Sequence, residues 1–282
     1  MSYCARLMAG LDAGKHLCVG IDPHAHILEQ WGLADSASSA ERMGREVVEA
    51  SADYALAVKP QVAFFERFGS PGYAALERVM QDAREAKQLI IADCKRGDIG
   101  SSFAAYAEAW LTPGSPLEAD AMTVAAYQGF GSLSRALDLI LESQKGLFVL
   151  AATSNAEARE IQLARRDDGR SIAASIVEEV LSFNSRKFPE ETVGAAGVVL
   201  GATLDLASYG IATEHVPSPH MPVLAPGFGA QGADIQDARR LFGEYSFALI
   251  ANESRSLLSQ GSKGLASRIM NRAMELREAI RS

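Results

Sequence analysis

Ala92-Asp93-Cys94-Lys95-Arg96-Gly97-Asp98-Ile99-Gly100, entered from the apolar run Leu89-Ile90-Ile91, organises the chain. The run is short and rich in β-branched side chains, and Gly97 follows it, which is the pattern of a buried strand. Alternation along a strand puts Asp93 and Lys95 on one face, and Asp98 then falls in the loop past the strand's carboxyl end. Two carboxylates bracketing an ammonium at the end of a buried strand are costly to desolvate unless they pair and act on something. The competing reading is a solvated charged turn.

Outward from this stretch the same alternation recurs in both directions. Toward the N-terminus the pattern predicts a helix over 2–13 and a strand over 17–21 that ends in Asp22-Pro23. A helix over about 40–52 follows, then a strand over 54–58 running into Lys59-Pro60. Next comes a helix over 71–86, with Ser70 as N-cap and Pro71 at its first position. Beyond the central stretch, helices are expected over 102–110 and 132–143, with strands over 121–124 and 146–151. The fifth strand ends in Ala152-Thr153-Ser154-Asn155. A charged turn over 165–170 and an amphipathic helix over 171–183 form the longest connection. Strands over 197–201, 222–225 and 247–250 and helices over 233–242 and 263–280 complete the pattern. Eight short apolar strands alternating with helices, with no Pro/Ser-rich linker, specify an α/β fold. The expected architecture is a single (β/α)₈ TIM barrel domain over 1–282, compatible with the usual size of about 250 residues.

Active sites of such barrels lie at the carboxyl ends of the strands. The polar residues expected there are Asp22, Lys59, Asp93, Lys95, Asp98, Thr153, Ser154, Gln231 and Arg255. Independent strand ends that deliver Lys-Asp-Lys-Asp to one mouth are hard to explain as packing.

Lys plus Arg number 27 against 35 Asp plus Glu, a net charge of -8, which argues against a nucleic-acid partner and means that any anionic ligand is held by a local site. Cys4, Cys18 and Cys94 show no CxxC spacing, so neither a disulfide framework nor a zinc site is expected, and a reducing cytoplasm is the default location. Arg6, Asp12 and Lys15 interrupt the first segment, unlike a signal peptide, and no apolar run reaches membrane-spanning length.

Gly227-Phe228-Gly229-Ala230-Gln231-Gly232 matches G-x-G-x-x-G, with Glu253 about 20 residues on. Only one strand remains after it, so no dinucleotide-binding half could be completed. Glycines that let backbone N–H groups approach an anion, placed after strand seven, fit a phosphate loop instead, and Arg255 could add a guanidinium contact. The competing reading is a Gly-rich turn with a surface Arg. His24 and His26 have metal-compatible spacing, but His16, His215 and His220 fall at the other end of the barrel, so solvent-facing loop histidines are expected. A Schiff-base role for Lys59 or Lys95 would need an apolar pocket, whereas flanking carboxylates keep both charged.

Lys59 with Asp93-x-Lys95-x-x-Asp98 resembles the signature of the orotidine 5′-phosphate decarboxylase family. Val19-Gly20-Ile21-Asp22-Pro23, Val58-Lys59-Pro60-Gln61-x-x-Phe64-Phe65-Glu66, Thr153-Ser154-Asn155, Val199-x-Gly201-Ala202-Thr203 and Pro226-Gly227-x-Gly229-Ala230-Gln231-Gly232 are similar to its longer bacterial subgroup, so the likeness spans nearly the whole barrel. The resemblance implies decarboxylation of orotidine 5′-phosphate to UMP, the last step of de novo pyrimidine nucleotide synthesis, with no cofactor and no metal, in a homodimer. It casts Lys95 as the acid that protonates the ring carbon and Asp93 as the group facing the departing carboxylate. Lys59 would hold the charge network, and Asp98 would reach the site of the partner subunit beside Ile99 and Ser102. Asp22 is implied for ribose, Thr153 and Ser154 for the base side, and Gly229, Gln231 and Arg255 for phosphate. The chain departs from the subgroup at Ala125-Ala126, where Asn-Pro is usual, and after Asn155. Two alternatives are a related Mg-dependent phosphate-sugar lyase and a catalytically silent barrel that binds a phosphate ligand.

Overall fold

The computed structural model describes residues 1–281. Eight strands close into a parallel barrel in sequence order: β1 (Leu17–Ile21), β2 (Ala57–Pro60), β3 (Leu89–Arg96), β4 (Ala121–Val124), β5 (Gly146–Ala152), β6 (Ala196–Leu200), β7 (Val223–Pro226) and β8 (Leu249–Glu253). Closure is made where Leu17 pairs with Ala251. β1, β2, β4 and β6 are buried at every position, as strands enclosed by side chains within and helices without must be. This is the (β/α)₈ fold expected from the alternation of elements.

β1 and β4 lie where the apolar pattern put them, β5, β6 and β7 lie within one residue of it, and β2 and β8 are displaced further. β2 begins at Ala57, three residues late, because Tyr54 belongs to the turn that ends the preceding helix, its N–H donating to Ser51 O. β8 begins at Leu249, because Phe247 and Ala248 lie in a 3₁₀ turn, where Phe247 stacks on His220 at 4.1 Å. The displacement of β8 carries Glu253 into the strand and makes Arg255 the first residue of a short helix, Arg255–Leu258. Gly69 (φ 65°), not Ser70, precedes the helix Ser70–Glu85, since only a residue at ease in left-handed backbone makes this entry. His24 caps the helix Ala25–Gln30, which contains His26, so the pair is solvent-facing as expected but lies on a helix and not a loop.

Candidate active site

β3 positions the charges through an irregularity. Ala92 pairs with Met122 and Arg96 with Val124, so four steps on β3 match two on β4. Such a bulge re-aims side chains, and within it Lys95 adopts left-handed backbone (φ 45°). Simple alternation therefore does not place Lys95; the bulge does. Thr123 fixes the bulge on the β4 side: its Oγ1 accepts from Lys95 N at 3.0 Å and donates to Asp93 Oδ1 at 2.9 Å. Gly97 follows the strand so closely that a Cβ there would sit 2.4 Å from Ala125 O.

Asp93 is the centre of the cluster. Its Oδ2 accepts from Lys59 Nζ at 2.6 Å and Gln61 Nε2 at 3.0 Å, and its Oδ1 accepts from Lys95 Nζ at 2.6 Å and from Thr123. Burial alone would raise the Asp93 pKa, but Lys59 and Lys95 outweigh it and hold the carboxyl well below the usual range. Burial likewise opposes the charge on Lys59, and the Asp93 and Asp22 carboxylates overcome it and raise the ammonium's pKa. The two lysines differ in access to water: the Lys59 side chain is 5% exposed and that of Lys95 47%. Among the described residues, Asp22 Oδ1 is buried with no hydrogen-bond partner.

Asp98 does not join the cluster within the chain. Its Oδ1 accepts from Ile99 N at 2.8 Å, it is half-buried, and Ile99 and Ser102 beside it are exposed. Arg96 ties the end of β3 to neighbouring helices: its guanidinium donates to Glu66 Oε1 at 2.8 Å, as does Tyr73 OH at 2.7 Å, and it lies over the Tyr106 ring.

Across the mouth, Ser154 Oγ donates to Gln231 Oε1 at 3.0 Å, joining the loops after β5 and β7. Thr153 is occupied within its own loop, since Gln162 Nε2 donates to Thr153 Oγ1 and Thr153 N donates to Gln162 Oε1, both at 2.9 Å. It shapes the segment that carries Ser154. Gly229 (φ 66°) brings the glycine loop onto β8: a Cβ there would be 2.8 Å from Glu253 Oε2, so no larger residue fits. Glu253 is buried and accepts from Ser256 Oγ at 2.5 Å, beside Arg272 Nε at 3.0 Å. That role is structural. Arg255 is exposed at the rim next to this loop.

Sequence reasoning found Lys59, Asp93 and Lys95 and missed the neutral partners Gln61 and Thr123. The available signal was a hydroxyl in the otherwise apolar Ala121–Val124 run and a polar residue directly after Lys59-Pro60. Among the described residues no three His, Cys, Asp or Glu side chains group as a metal site would require.

A (β/α)₈ barrel with a lysine-flanked buried carboxylate, a glycine loop and an arginine at the carboxyl ends of its strands is the class of protein that the fold and these residues define. The comparisons with known proteins narrow the class. The sequence profile of the orotidine 5′-phosphate decarboxylase / HUMPS family matches residues 15–266, and the chain belongs to that family. It is 48% identical over 281 residues to an orotidine 5′-phosphate decarboxylase of Streptomyces coelicolor, covering 99% of this chain and 98% of that one. It is 43% identical over 274 residues to the Salinispora tropica enzyme of the same name, covering 95% and 96%. A crystal structure described as an orotidine 5′-phosphate decarboxylase from Streptomyces avermitilis superposes with a TM-score of 0.92 at 46% identity, covering 100% of this chain and 96% of the other.

Proposed function

We propose that the protein converts orotidine 5′-phosphate to UMP and CO₂ in the cytoplasm, completing de novo pyrimidine nucleotide synthesis. The observation that carries this reading is Asp93 held between two ammonium groups at 2.6 Å each. The bond from the ring carbon to the carboxylate breaks, its electron pair stays on that carbon, and CO₂ departs on the Asp93 side. Lys95 Nζ then transfers a proton to the carbon. Of the two lysines, Lys95 is the one whose ammonium can be recharged from solvent, whereas Lys59 is sealed in and keeps the cluster's charge.

Magnitudes divide the work. A substrate carboxylate about 4 Å from Asp93 is repelled by roughly 4 kcal/mol at an effective dielectric near 20, and the flanking ammonium groups reduce this. Very slow uncatalysed reactions ask for about 20 kcal/mol. Stabilisation of the developing carbanion by Lys95, and binding energy from phosphate and ribose, therefore supply most of the acceleration. Asp22, with its unpaired buried oxygen, takes a ribose hydroxyl. Ser154 reads the base, and Gln231, Arg255 and the Gly229 loop take the phosphate.

In the same proposal the active assembly is a homodimer in which Asp98, with Ile99 and Ser102, serves the partner's site. Two features support it: Asp98 is remote from the cluster's hydrogen bonds, and the nearby Ile99 and Tyr127 are 62% and 81% exposed. The three cysteines are buried and free, as suits a reducing compartment.

The test is the fall in orotidine 5′-phosphate absorbance on adding EDTA-treated protein, with Lys95→Ala and Asp98→Asn assayed singly and mixed. Metal-free turnover, lost in each variant and partly restored in the mixture, is expected. Activity that depends on added Mg²⁺ would instead favour the phosphate-sugar lyase. Ligand binding without any turnover would favour the silent barrel.

A further inference from the structure

The amino end of the barrel carries a cavity of about 740 Å³, within the usual range for small-molecule sites. It opens where Lys15 enters β1, Gln88 enters β3 and Lys145 enters β5, at the opposite end of the strands from the Asp93 cluster. Two residues on its wall, Tyr3 and Gln88, are 2% and 5% exposed, and Tyr3 OH and Gln88 Oε1 have no hydrogen-bond partner among the described residues. Both atoms are sealed from solvent, so neither faces the open space, and whatever fills the cavity is met by the charged side chains of its wall.

Charge selects what that is. Five cations and two carboxylates line the cavity, on a chain whose net charge is -8. Both carboxylates are already engaged: Asp120 accepts from Arg6 and from Ile90 N, and Glu118 accepts from Lys145 Nζ at 2.6 Å and Gly114 N at 2.8 Å. Arg84 donates to a backbone carbonyl, Glu118 O. Lys15 and Lys87 have no carboxylate partner among the described residues, so the wall retains uncompensated positive charge.

We propose that this cavity is a second binding site, distinct from the mouth, for a phosphorylated anion that Lys15 and Lys87 hold. The phosphoryl group can belong to a nucleotide or to an inorganic phosphate, and the two are separated by probe.

Pyrophosphate and ADP are titrated calorimetrically into the full-length wild type, Arg255→Ala, Lys15→Ser/Lys87→Ser and Tyr3→Phe. Binding that survives Arg255→Ala and weakens at least tenfold in the double lysine variant is expected. Tyr3→Phe removes a hydroxyl that is sealed from the cavity, so it should leave binding unchanged and serves as the control. Tighter ADP binding identifies a nucleotide, and tighter pyrophosphate binding identifies an inorganic ligand. Loss of all binding in Arg255→Ala, or full retention in the double lysine variant, overturns the proposal.

Discussion

Two buried aspartates, Asp93 on β3 and Asp120 just before β4, end in opposite states. Asp93, at the mouth, receives two ammonium groups, an amide and a hydroxyl. Asp120, at the floor, has Arg6 and a backbone N–H. Burial raises both carboxyls; at Asp93 the lysines reverse its effect, and at Asp120 burial prevails over Arg6, so its pKa stays raised. Burial alone therefore does not mark a reactive site. What marks it is charge compensated beyond the needs of one carboxylate, with part of it left open to solvent, as Lys95 is.

The largest contrast should appear in turnover. Lys95→Ala is expected to lower kcat by roughly 10⁴-fold, the upper range for a positioned acid, while Lys87→Ala at the floor leaves kcat unchanged. Steady-state kinetics of the pair check this, and near-normal turnover by Lys95→Ala would refute the mouth assignment. Next is stability. Asp93→Asn strands buried Lys59 without its anion and should cost about 3–5 kcal/mol. Asp120→Asn keeps an oxygen for Ile90 N, and Arg6 keeps the Lys87 and Gln88 carbonyls, so urea melts should show a change of about 1 kcal/mol or less.

The same two variants should separate with pH. The contribution of Asp93, whose pKa is depressed, is present above its unfolded value of about 3.9 and lost as pH falls through the native value. Asp120, whose pKa is raised, has the opposite sign: its contribution is present below about 3.9 and lost as pH rises through the native value. Asp120→Asn should therefore gain on wild type as pH climbs toward neutrality, whereas the deficit of Asp93→Asn stays level between about pH 5 and 8. A third contrast lies within the mouth. Arg255→Ala should raise KM by about 10- to 100-fold, the worth of one charged hydrogen bond, and change kcat less.

The smallest effect concerns backbone. Lys87 (φ 58°), Lys95 (φ 45°) and Gln144 (φ 54°) are the described non-glycine residues with positive φ. Lys87 and Gln144 follow helix ends, where glycine is the usual occupant, so Lys87→Gly and Gln144→Gly should stabilise by up to about 1 kcal/mol in thermal melts. Lys95→Gly relieves the same strain and still loses turnover.

The charged part of the mouth was legible because Lys59 and Asp93 are expensive at strand ends, and the eight-fold alternation was legible because apolar runs and glycine turns punctuate it. The bulge in β3 was not. Nothing in Ala92–Arg96 signals that four residues will span two of β4, since that is settled by Thr123 on another strand. Single-turn helices such as Ala63–Glu66 escaped because four residues carry no period. β8 slipped because Phe247 is apolar for the sake of His220 and not of the sheet.

Under the proposed function, the unequal exposure of Lys59 and Lys95 also predicts where the product's new hydrogen comes from. A donor that is 47% exposed exchanges with bulk water between catalytic cycles, so in heavy water the UMP formed should carry one deuterium on the ring carbon that lost CO₂. A ring hydrogen drawn instead from a sealed reserve would first appear as protium, and the isotope pattern of the earliest molecules of product would record which lysine had given it.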